Sequence, residues 1–433
     1  MKANVFNAQN DGLVGRQIAF FAAFLLPVYK LLELPSLLAG FVQGDLLLPA
    51  ILHFLLQGGL IALFLLAISR LDKPLFAFLE EKLGKWAKIF YCLYAVYFIF
   101  FAVLPLLDLE KFVYAAFFDT APTLFVFAFF FFLSAFVCTK GLKATGRSAD
   151  ACLFLFPLPL LALLTMSLGE ADFSNLLPFF EQRLGGSMSA FHYTTPHFSD
   201  ALLLLPLLGN LRYKKGDGLK IVGGYAGGAV ATLVFLAVFY GVFSTIAPRE
   251  HYAFIKIAQY FPALAVIGRV DLLLVYVLCV VLFFYVCTPL QYSVNLLSHT
   301  LGADKKIIFS AILNFAAFLF VLFCNRFYDR IYGVISGRLA PVFWVFWLLP
   351  LLSFFLPNGN SRRERRPRPL DKAHNEHPSQ ETKPASPTQK TSSTSHSQET
   401  KPASSASSTS PKRSKRNPRF ARQKRKKEKD FDV

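Results

Sequence analysis

Charged residues are scarce in this chain of 433 residues, of which Asp, Glu, Lys and Arg make up only 17%. A soluble globular domain carries about 25% charged residues, so the composition argues against a protein surrounded by water. Methionine and tryptophan are rare too, with three of each, whereas phenylalanine occurs 49 times. Large apolar side chains without matching charge indicate a chain whose outer surface faces lipid.

Cysteine is also sparse, and its placement argues against the common uses of thiols. The six cysteines lie in or at the ends of apolar segments: Cys92, Cys138, Cys152, Cys279, Cys287 and Cys324. They form neither a CxxC pair nor a metal-ligand spacing, so we expect buried free thiols. The chain also lacks a nucleotide-binding glycine loop, a zinc-ligand spacing and a convincing nucleophile–base pair. We therefore expect no enzyme activity, no cofactor and no metal site.

The chain has instead a series of long apolar runs. Runs of roughly 18–28 residues match the length that a helix needs to cross about 30 Å of hydrocarbon, where backbone groups must bond within the helix. The sequence predicts ten spans, at about 14–40, 45–69, 86–107, 113–138, 148–168, 198–211, 218–247, 270–298, 306–324 and 339–356. The sixth is short for a full crossing. The segments 169–197 and 247–269 are predicted to lie outside, as exposed loops or as short interfacial or re-entrant helices.

Orientation follows from the basic residues between the spans. The junctions after even-numbered spans hold 14 Lys and Arg, against 8 after odd-numbered spans. Both termini are therefore predicted to be cytoplasmic. The chain divides into a cytoplasmic N-terminus over 1–13, a membrane domain over 14–356 and a tail over 357–433.

The tail is rich in Ser, Thr, Pro and Lys and has few apolar residues to bury, so we predict that it is disordered. From Asn358 onward it holds 20 Lys and Arg against 8 Asp and Glu, which is most of the net charge of +18. Basic clusters beside a membrane are attracted to anionic lipid, which is the partner we expect for the tail. Nucleic acid is not expected to bind, because Phe420 and Phe431 are the only aromatic residues of the tail available for base stacking.

Charges inside the apolar spans are the best functional candidates, because each costs several kcal/mol unless it is paired or hydrated. Lys30 and Glu33 lie in the first run, where a spacing of three residues on a helix would let them pair. Pro27 and Pro35 flank them, so the helix should kink or break here. A central charge at a broken helix is typical of a transporter binding site. The alternative is a structural kink from which Lys30 extends toward the membrane interface.

Other polar or small residues in the spans have structural interpretations. Asp200 opens the sixth run and is either a helix cap or the acid of a second broken helix, and the sequence alone favours the cap. His53 and Gln57 are interpreted as hydrogen-bond partners between helices. Gly224 and Gly228 form a GxxxG spacing, which indicates a close helix approach.

The order of motifs over about residues 14–356 resembles that of the B subunits of spore germination receptors. These are endospore germination permeases of the amino acid–polyamine–organocation superfamily. The matching residues are Arg16-Gln17, Leu34-Pro35, Gln43-Gly44-Asp45, Thr120, Pro122, Gly141, Arg147, Asn175-Leu-Leu-Pro178, Asp200, Pro262 and Arg269-Val-Asp271. No single motif is specific, whereas their order, spacing and span count together carry the resemblance.

The resemblance implies an all-α polytopic membrane protein with a LeuT-like 5+5 inverted repeat, in which helices 1 and 6 are discontinuous. It implies an amino acid or similar small ligand held between these helices at Pro27, Val28, Tyr29, Lys30, Glu33, Phe198, Ser199 and Asp200. The family-motif positions with structural roles are Pro35, Gln43, Gly44, Asp45, Arg147, Pro178, Pro262, Arg269 and Asp271. A complex with A- and C-type receptor subunits is implied too, in the bacterial cytoplasmic membrane or the spore inner membrane.

The chain departs from the family pattern at the break of the first span. Small glycine-rich residues are usual there, whereas this chain has Pro27-Val-Tyr-Lys30. Bulky Tyr29 and charged Lys30 would then either fill the pocket for an amino acid carboxylate or supply a fixed cation where other members bind Na⁺. Lys143 and Gly268 stand where acidic residues are usual, and the long basic tail is not a usual family feature.

Three functions remain open at the level of the sequence. The first is a germinant sensor that binds an amino acid and signals to partner subunits. The second is a proton-coupled amino acid transporter in which Lys30, Glu33 or Asp200 titrates during the cycle. The third is a membrane scaffold that binds no ligand and recruits partners through its tail.

Overall fold

The computed structural model describes residues 13–71, 75–117, 123–177, 184–211, 213–260, 270–302 and 306–355. The predicted N-terminal segment, apart from Leu13, and the predicted tail fall outside these ranges. Within them the chain is helical, with one isolated backbone bridge between Leu13 and Leu211. This is the all-α architecture that the apolar runs predict.

The α-helices of the described residues are α1 (Gly15–Phe20), α2 (Leu34–Val42), α3 (Leu47–Ser69), α4 (Leu75–Leu83), α5 (Trp86–Phe117), α6 (Thr123–Cys138), α7 (Leu142–Leu155), α8 (Pro157–Ser167), α9 (Leu184–Thr194), α10 (Asp200–Gly209), α11 (Asp217–Phe243), α12 (Ala253–Tyr260), α13 (Val270–Leu301), α14 (Lys306–Asn325), α15 (Tyr328–Gly333) and α16 (Ala340–Phe355). Shorter 3-10 segments are Val28–Leu31, Gln43–Leu46, Phe173–Leu176, Thr195–His197 and Ser244–Arg249, and π-helical turns are Phe21–Leu25 and Val334–Arg338.

A helix or a pair of helices lies in each of the ten predicted spans. Six helical segments among the described residues are long and apolar enough to cross a membrane, and a seventh is the pair Arg330–Arg338 and Ala340–Leu352, bent by 52°. The count falls short of ten partly because the first and sixth spans are divided into helices shorter than the ~20 residues that a crossing requires. The number of crossings and the orientation of the termini therefore stay predictions.

The first span breaks where the prolines predict it. Pro27 has no N–H for the helical bond, and the preceding turn widens so that Leu26 N donates to Phe21 O over 3.2 Å. A short 3-10 segment follows, and it ends at Leu32, whose ψ of −91° is not helical. Pro35 then stands in the first turn of α2, where a missing N–H is tolerated.

The sixth span is also discontinuous, and it is longer than predicted. Helix α10 follows a 3-10 segment and two non-helical residues, Phe198 and Ser199, and α9 precedes them. The sequence left two alternatives for the segment 169–197, an exposed loop or short interfacial or re-entrant helices, and α9 is a short helix within it. Helix α9 packs against α2 and α3, so it belongs to the helical body and not to an exposed loop.

Helices α1 and α11 approach closely through glycine, as the GxxxG spacing predicts. A Cβ on Gly224 would lie 2.5 Å from the carbonyl oxygen of Ala19, and one on Gly228 would lie 2.8 Å from that of Ala23. Gly223 and Gly227, one position earlier in each case, have nothing within 4 Å of the corresponding Cβ. One glycine face of α11 therefore sets its distance from α1 and from the π-helical turn that follows α1.

We predict that Gly224→Ala lowers the apparent melting temperature of the purified protein, because its Cβ overlaps backbone that cannot move aside; overpacking costs about 1–3 kcal/mol. Gly223→Ala is the matched control. It gains up to about 1 kcal/mol of helix propensity and meets no neighbour, so stability should be unchanged or higher. Equal effects of the two substitutions in thermal unfolding would contradict the assigned contact face.

Candidate ligand site at the two helix breaks

The breaks of the first and sixth spans meet at a buried ion pair. Lys30 Nζ, on the 3-10 segment, lies 2.7 Å from Asp200 Oδ1 at the start of α10, and it also donates to the Leu26 carbonyl over 3.2 Å. The two side chains are 0% and 1% exposed. Two opposite charges at a membrane core satisfy each other, and a carboxylate in the first turn of α10 suits the positive end of its dipole.

Lys30 therefore pairs with Asp200, and the expected i, i+3 pair with Glu33 is wrong. That pair needs a continuous helix, whereas the backbone at Leu32 turns away from helical geometry between the two residues. The half-buried Glu33 carboxylate lies instead 3.2 Å from the Tyr328 hydroxyl. The extended lysine of the structural-kink alternative is wrong as well, because Lys30 is fully buried.

Asp200 is fully engaged on both oxygens. Its Oδ2 accepts a hydrogen bond from the Tyr225 hydroxyl over 2.9 Å, while Oδ1 faces the lysine. The cap position of α10 is Ser199, which makes no side-chain capping bond, so Asp200 is not the cap that the sequence favoured. The Lys30 ammonium also lies 5.1 Å from the centre of the Phe198 ring, within cation–π range.

Gln57 of α3 satisfies the backbone that the second break leaves without helical partners. Its amide nitrogen donates to the Phe198 carbonyl over 2.9 Å, and its amide oxygen accepts from Ala201 N over 3.0 Å. One turn earlier, His53 stacks between the rings of Phe191 and Phe198. Both residues are the interhelical partners that the sequence suggested, and Gln57 spans the break itself.

The remaining predicted ligand residues are buried around this pair. Ser199 Oγ lies 2.9 Å from the Tyr97 hydroxyl and accepts from Trp347 Nε1 over 3.3 Å. Seven of the eight ligand residues that the sequence predicts are buried: Pro27, Val28, Tyr29, Lys30, Phe198, Ser199 and Asp200. Only Glu33 is partly exposed. The conformation described is therefore closed at its centre.

A second polar cluster lies beside the first and includes an acid that sequence analysis missed. Asp108 of α5 is fully buried and accepts from two tyrosine hydroxyls, Tyr29 over 2.5 Å and Tyr328 over 2.5 Å. The Tyr328 hydroxyl also lies 3.2 Å from Glu33 Oε2. Asp108 falls one residue beyond the predicted third span, and an acid directly after Leu106-Leu107 is the signal that would have found it.

Aromatic rings pack against Tyr29, which belongs to this cluster and precedes Lys30 in the chain. Tyr29 stacks on His197 at 5.2 Å and on Tyr285 at 5.6 Å between ring centres. Both ring nitrogens of His197 and the hydroxyl of Tyr285 are buried without a hydrogen-bond partner among the described residues. Buried polar atoms are normally bonded, so these atoms suit a polar guest in another conformation.

The family-motif residues form turns and surfaces around this centre. Gln43 begins the 3-10 segment between α2 and α3 with a φ of 47°, and a Cβ on Gly44 would lie 3.1 Å from the Asn175 carbonyl oxygen. Asp45 is buried and Arg147 is exposed on α7. Three predicted residues lie outside the described ranges: Pro178, Pro262 and Arg269. The backbone of Asp271 lies in α13, and its side chain is not among those that the structure describes.

Broken apolar helices that meet at buried charges define a permease-like integral membrane protein. Residues 49–328, about two thirds of the chain, match the family model described as spore germination protein, and the chain belongs to this family. Among solved structures, 28 chains match. One is a mutant manganese transporter of Eremococcus coleocola, 13% identical over 78% of this chain and 77% of that chain, with a TM-score of 0.49. No curated protein matches the chain.

We predict that Lys30→Met destabilises the protein by about 3–5 kcal/mol, because it leaves the Asp200 carboxylate buried without its cation. Lys30→Met/Asp200→Leu removes both charges and should recover most of that loss. Thermal unfolding of wild type, both single variants and the double variant gives the coupling. If the double variant loses as much as the two single variants combined, the pair is not coupled.

We also predict that Gln57→Met destabilises the protein by about 2–4 kcal/mol, because the Phe198 carbonyl and the Ala201 N–H each lose a buried bond worth roughly 1–3 kcal/mol. Leu56→Met, at the neighbouring half-buried position of α3, is the volume-matched control and should be close to neutral. Amide hydrogen exchange at Ala201 should rise in Gln57→Met alone. Unchanged exchange there would show that the glutamine does not hold the break.

Proposed function

We propose that this chain is the permease-fold membrane subunit of a spore germinant receptor. It binds an amino acid or similar small nutrient where the broken helices α1–α2 and α9–α10 meet, and it signals to A- and C-type subunits. The observation that carries the proposal is the Lys30–Asp200 pair, which joins the two breaks at 2.7 Å. Membership of the spore germination family supports a role in germination.

The chemistry of binding is an exchange of ion pairs. An amino acid zwitterion carries one carboxylate and one ammonium, the same two charges that face each other inside the protein. Its carboxylate takes the place of Asp200 at Lys30, and its ammonium takes the place of Lys30 at Asp200. Because each buried charge keeps an opposite partner, the exchange avoids the large penalty of an unpaired ion.

The exchange also provides the signal. In the closed conformation the pair links the 3-10 segment after Pro27 directly to the first residue of α10. A ligand between the two side chains lengthens that link, so the half-helices on either side of the breaks separate. A ligand shifts such an equilibrium only through its different affinity for the two states, and the inserted zwitterion supplies that difference. The LeuT-like repeat and the spore inner membrane location, with both termini cytoplasmic, are part of the proposal.

The second candidate is a proton-coupled amino acid transporter. The observation that favours it is a pair of buried imidazoles, since one ring nitrogen of His53 and both of His197 have no hydrogen-bond partner among the residues that the structure describes, and imidazole is a common proton carrier. Uptake of a labelled amino acid into proteoliposomes, lost in Lys30→Ala, would support the transporter. Binding without uptake supports the sensor.

We predict that one or more amino acids raise the apparent melting temperature of the purified full-length protein in a screen of amino acids and nucleosides. A ligand present at 100 times its dissociation constant adds about 2.7 kcal/mol to the folded state. For amino acids with small side chains, the shift should disappear in Lys30→Met/Asp200→Leu and persist in Gly223→Ala. A shift of equal size with a small amino acid in the charge-free double variant would reject the central site, and failure to co-purify with A- and C-type subunits would reject the receptor assignment.

A further inference from the structure

An open cavity lies next to the polar cluster of Asp108, Tyr328 and Glu33. It is a cavity of about 540 Å³, lined by side chains that include Glu33, Phe41, Lys111, Tyr252, Tyr328 and Tyr332. Small-molecule sites typically have volumes of about 300–1,000 Å³, with apolar and aromatic walls and a few polar groups. Its walls come from α2, α5, α15 and the segment before α12, so it is formed by the tertiary structure and by no single motif.

Opposite charges converge on one tyrosine at the wall of this cavity. Lys111 Nζ lies 3.4 Å from the centre of the Tyr328 ring, and the hydroxyl of the same ring lies 3.2 Å from Glu33 Oε2. Both charged side chains are half-buried. An ammonium over the ring face and a carboxylate at the ring hydroxyl therefore both line the cavity.

The wall also carries an unused polar atom and a broad aromatic surface. Tyr332 stacks against Tyr328 at 5.8 Å, and its buried hydroxyl has no hydrogen-bond partner among the described residues. Buried hydroxyls are normally bonded, so this one suits a polar group of a guest molecule. Phe41 and Tyr252 add further aromatic area to the lining.

We infer that this cavity is a second ligand site, separate from the central pair, for a zwitterionic amino acid with an aromatic or large apolar side chain. The ligand carboxylate binds Lys111, its ammonium binds Glu33, and its side chain lies against the tyrosine rings. The inference extends the proposed function to an outer site, and it does not depend on charge exchange at Lys30.

The outer site is connected to the centre by hydrogen bonds. Glu33 contacts Tyr328, Tyr328 donates to Asp108, and Asp108 accepts from Tyr29, the residue next to Lys30. A ligand ammonium that draws Glu33 away from Tyr328 leaves that hydroxyl to Asp108 alone. Occupation of the cavity thereby changes the cluster that lies over the central pair.

The test compares three probes that differ only in charge: L-phenylalanine, phenethylamine, which lacks the carboxylate, and 3-phenylpropionate, which lacks the ammonium. Binding to the full-length protein in lipid nanodiscs is measured by calorimetry. Wild type should bind L-phenylalanine at least about tenfold more tightly than either analogue, because each analogue loses a charged contact. Lys111→Met should lower L-phenylalanine affinity to that of phenethylamine, and Glu33→Gln should lower it to that of 3-phenylpropionate.

Lys220→Met and Glu170→Gln remove the same charges at exposed positions away from the cavity and should bind as wild type does. Lys111→Arg and Glu33→Asp keep the charge and should retain most of the affinity, which separates lost recognition from misfolding. Lys30→Met/Asp200→Leu should keep the preference for the zwitterion at the outer site.

The outcomes distinguish the two sites. If the Glu33 and Lys111 variants bind like wild type while the central double variant loses all binding, the outer site is rejected and the proposed central function stands. If wild type binds none of the three probes, or binds them equally, the assigned ligand class is wrong. Loss of zwitterion preference in the cavity variants alone supports the outer site.

Discussion

A buried salt bridge between two broken helices organises the centre of this protein. Lys30 and Asp200 are 170 residues apart in sequence, and each would be unfavourable in an apolar interior without the other. Their contact therefore requires that the first and sixth spans lie side by side with both breaks at the same depth. The cation–π contact with Phe198 and the hydrogen bond from Tyr225 follow from that placement.

Breaking a helix inside a membrane domain leaves backbone groups that need other partners, and the structure supplies them from distant segments. Gln57 holds both sides of the second break through its two amide atoms. At the first break, the Leu32 carbonyl accepts a hydrogen bond from Ala253 N at the start of α12, over 3.0 Å. A non-helical backbone at this depth is tolerated only with such partners. The first residue of α12 thereby supports the break, and Tyr252 just before it forms part of the outer cavity wall.

The two polar clusters give the protein a layered interior. The central pair is fully buried, whereas Glu33 and Lys111 line an open cavity, and Tyr29 next to Lys30 stacks on the rings of His197 and Tyr285. Tyr29 belongs to both layers, because it is adjacent to Lys30 in the chain and donates to Asp108. The Tyr328 hydroxyl lies within hydrogen-bond distance of both the Glu33 and the Asp108 carboxylates. Because it has one proton to donate, it can bond mainly to one carboxylate or mainly to the other, which gives two arrangements of the cluster.

Much of the architecture was determined by the sequence itself. Apolar runs long enough to cross a bilayer predicted the helical body, and Pro27 beside Lys30 predicted the first break, because both depend on local chemistry. The glycine face of α11 was predicted from the sequence for the same reason, because glycines spaced four residues apart let two helices approach closely. The position of Asp200 at the start of the sixth run left a helix cap and a site acid both open, and the family resemblance strengthened the second interpretation.

The partners of these residues were decided by the tertiary structure alone. Lys30 pairs with Asp200 and not with Glu33, because Leu32 interrupts the helix on which the local pairing rule depends. Asp108, Tyr225 and Tyr328 entered the site from three other helices, and α9 joined the sixth span despite its weak apolar pattern. Contacts between segments more than a hundred residues apart depend on how whole helices pack, and no local pattern in the sequence encodes that geometry.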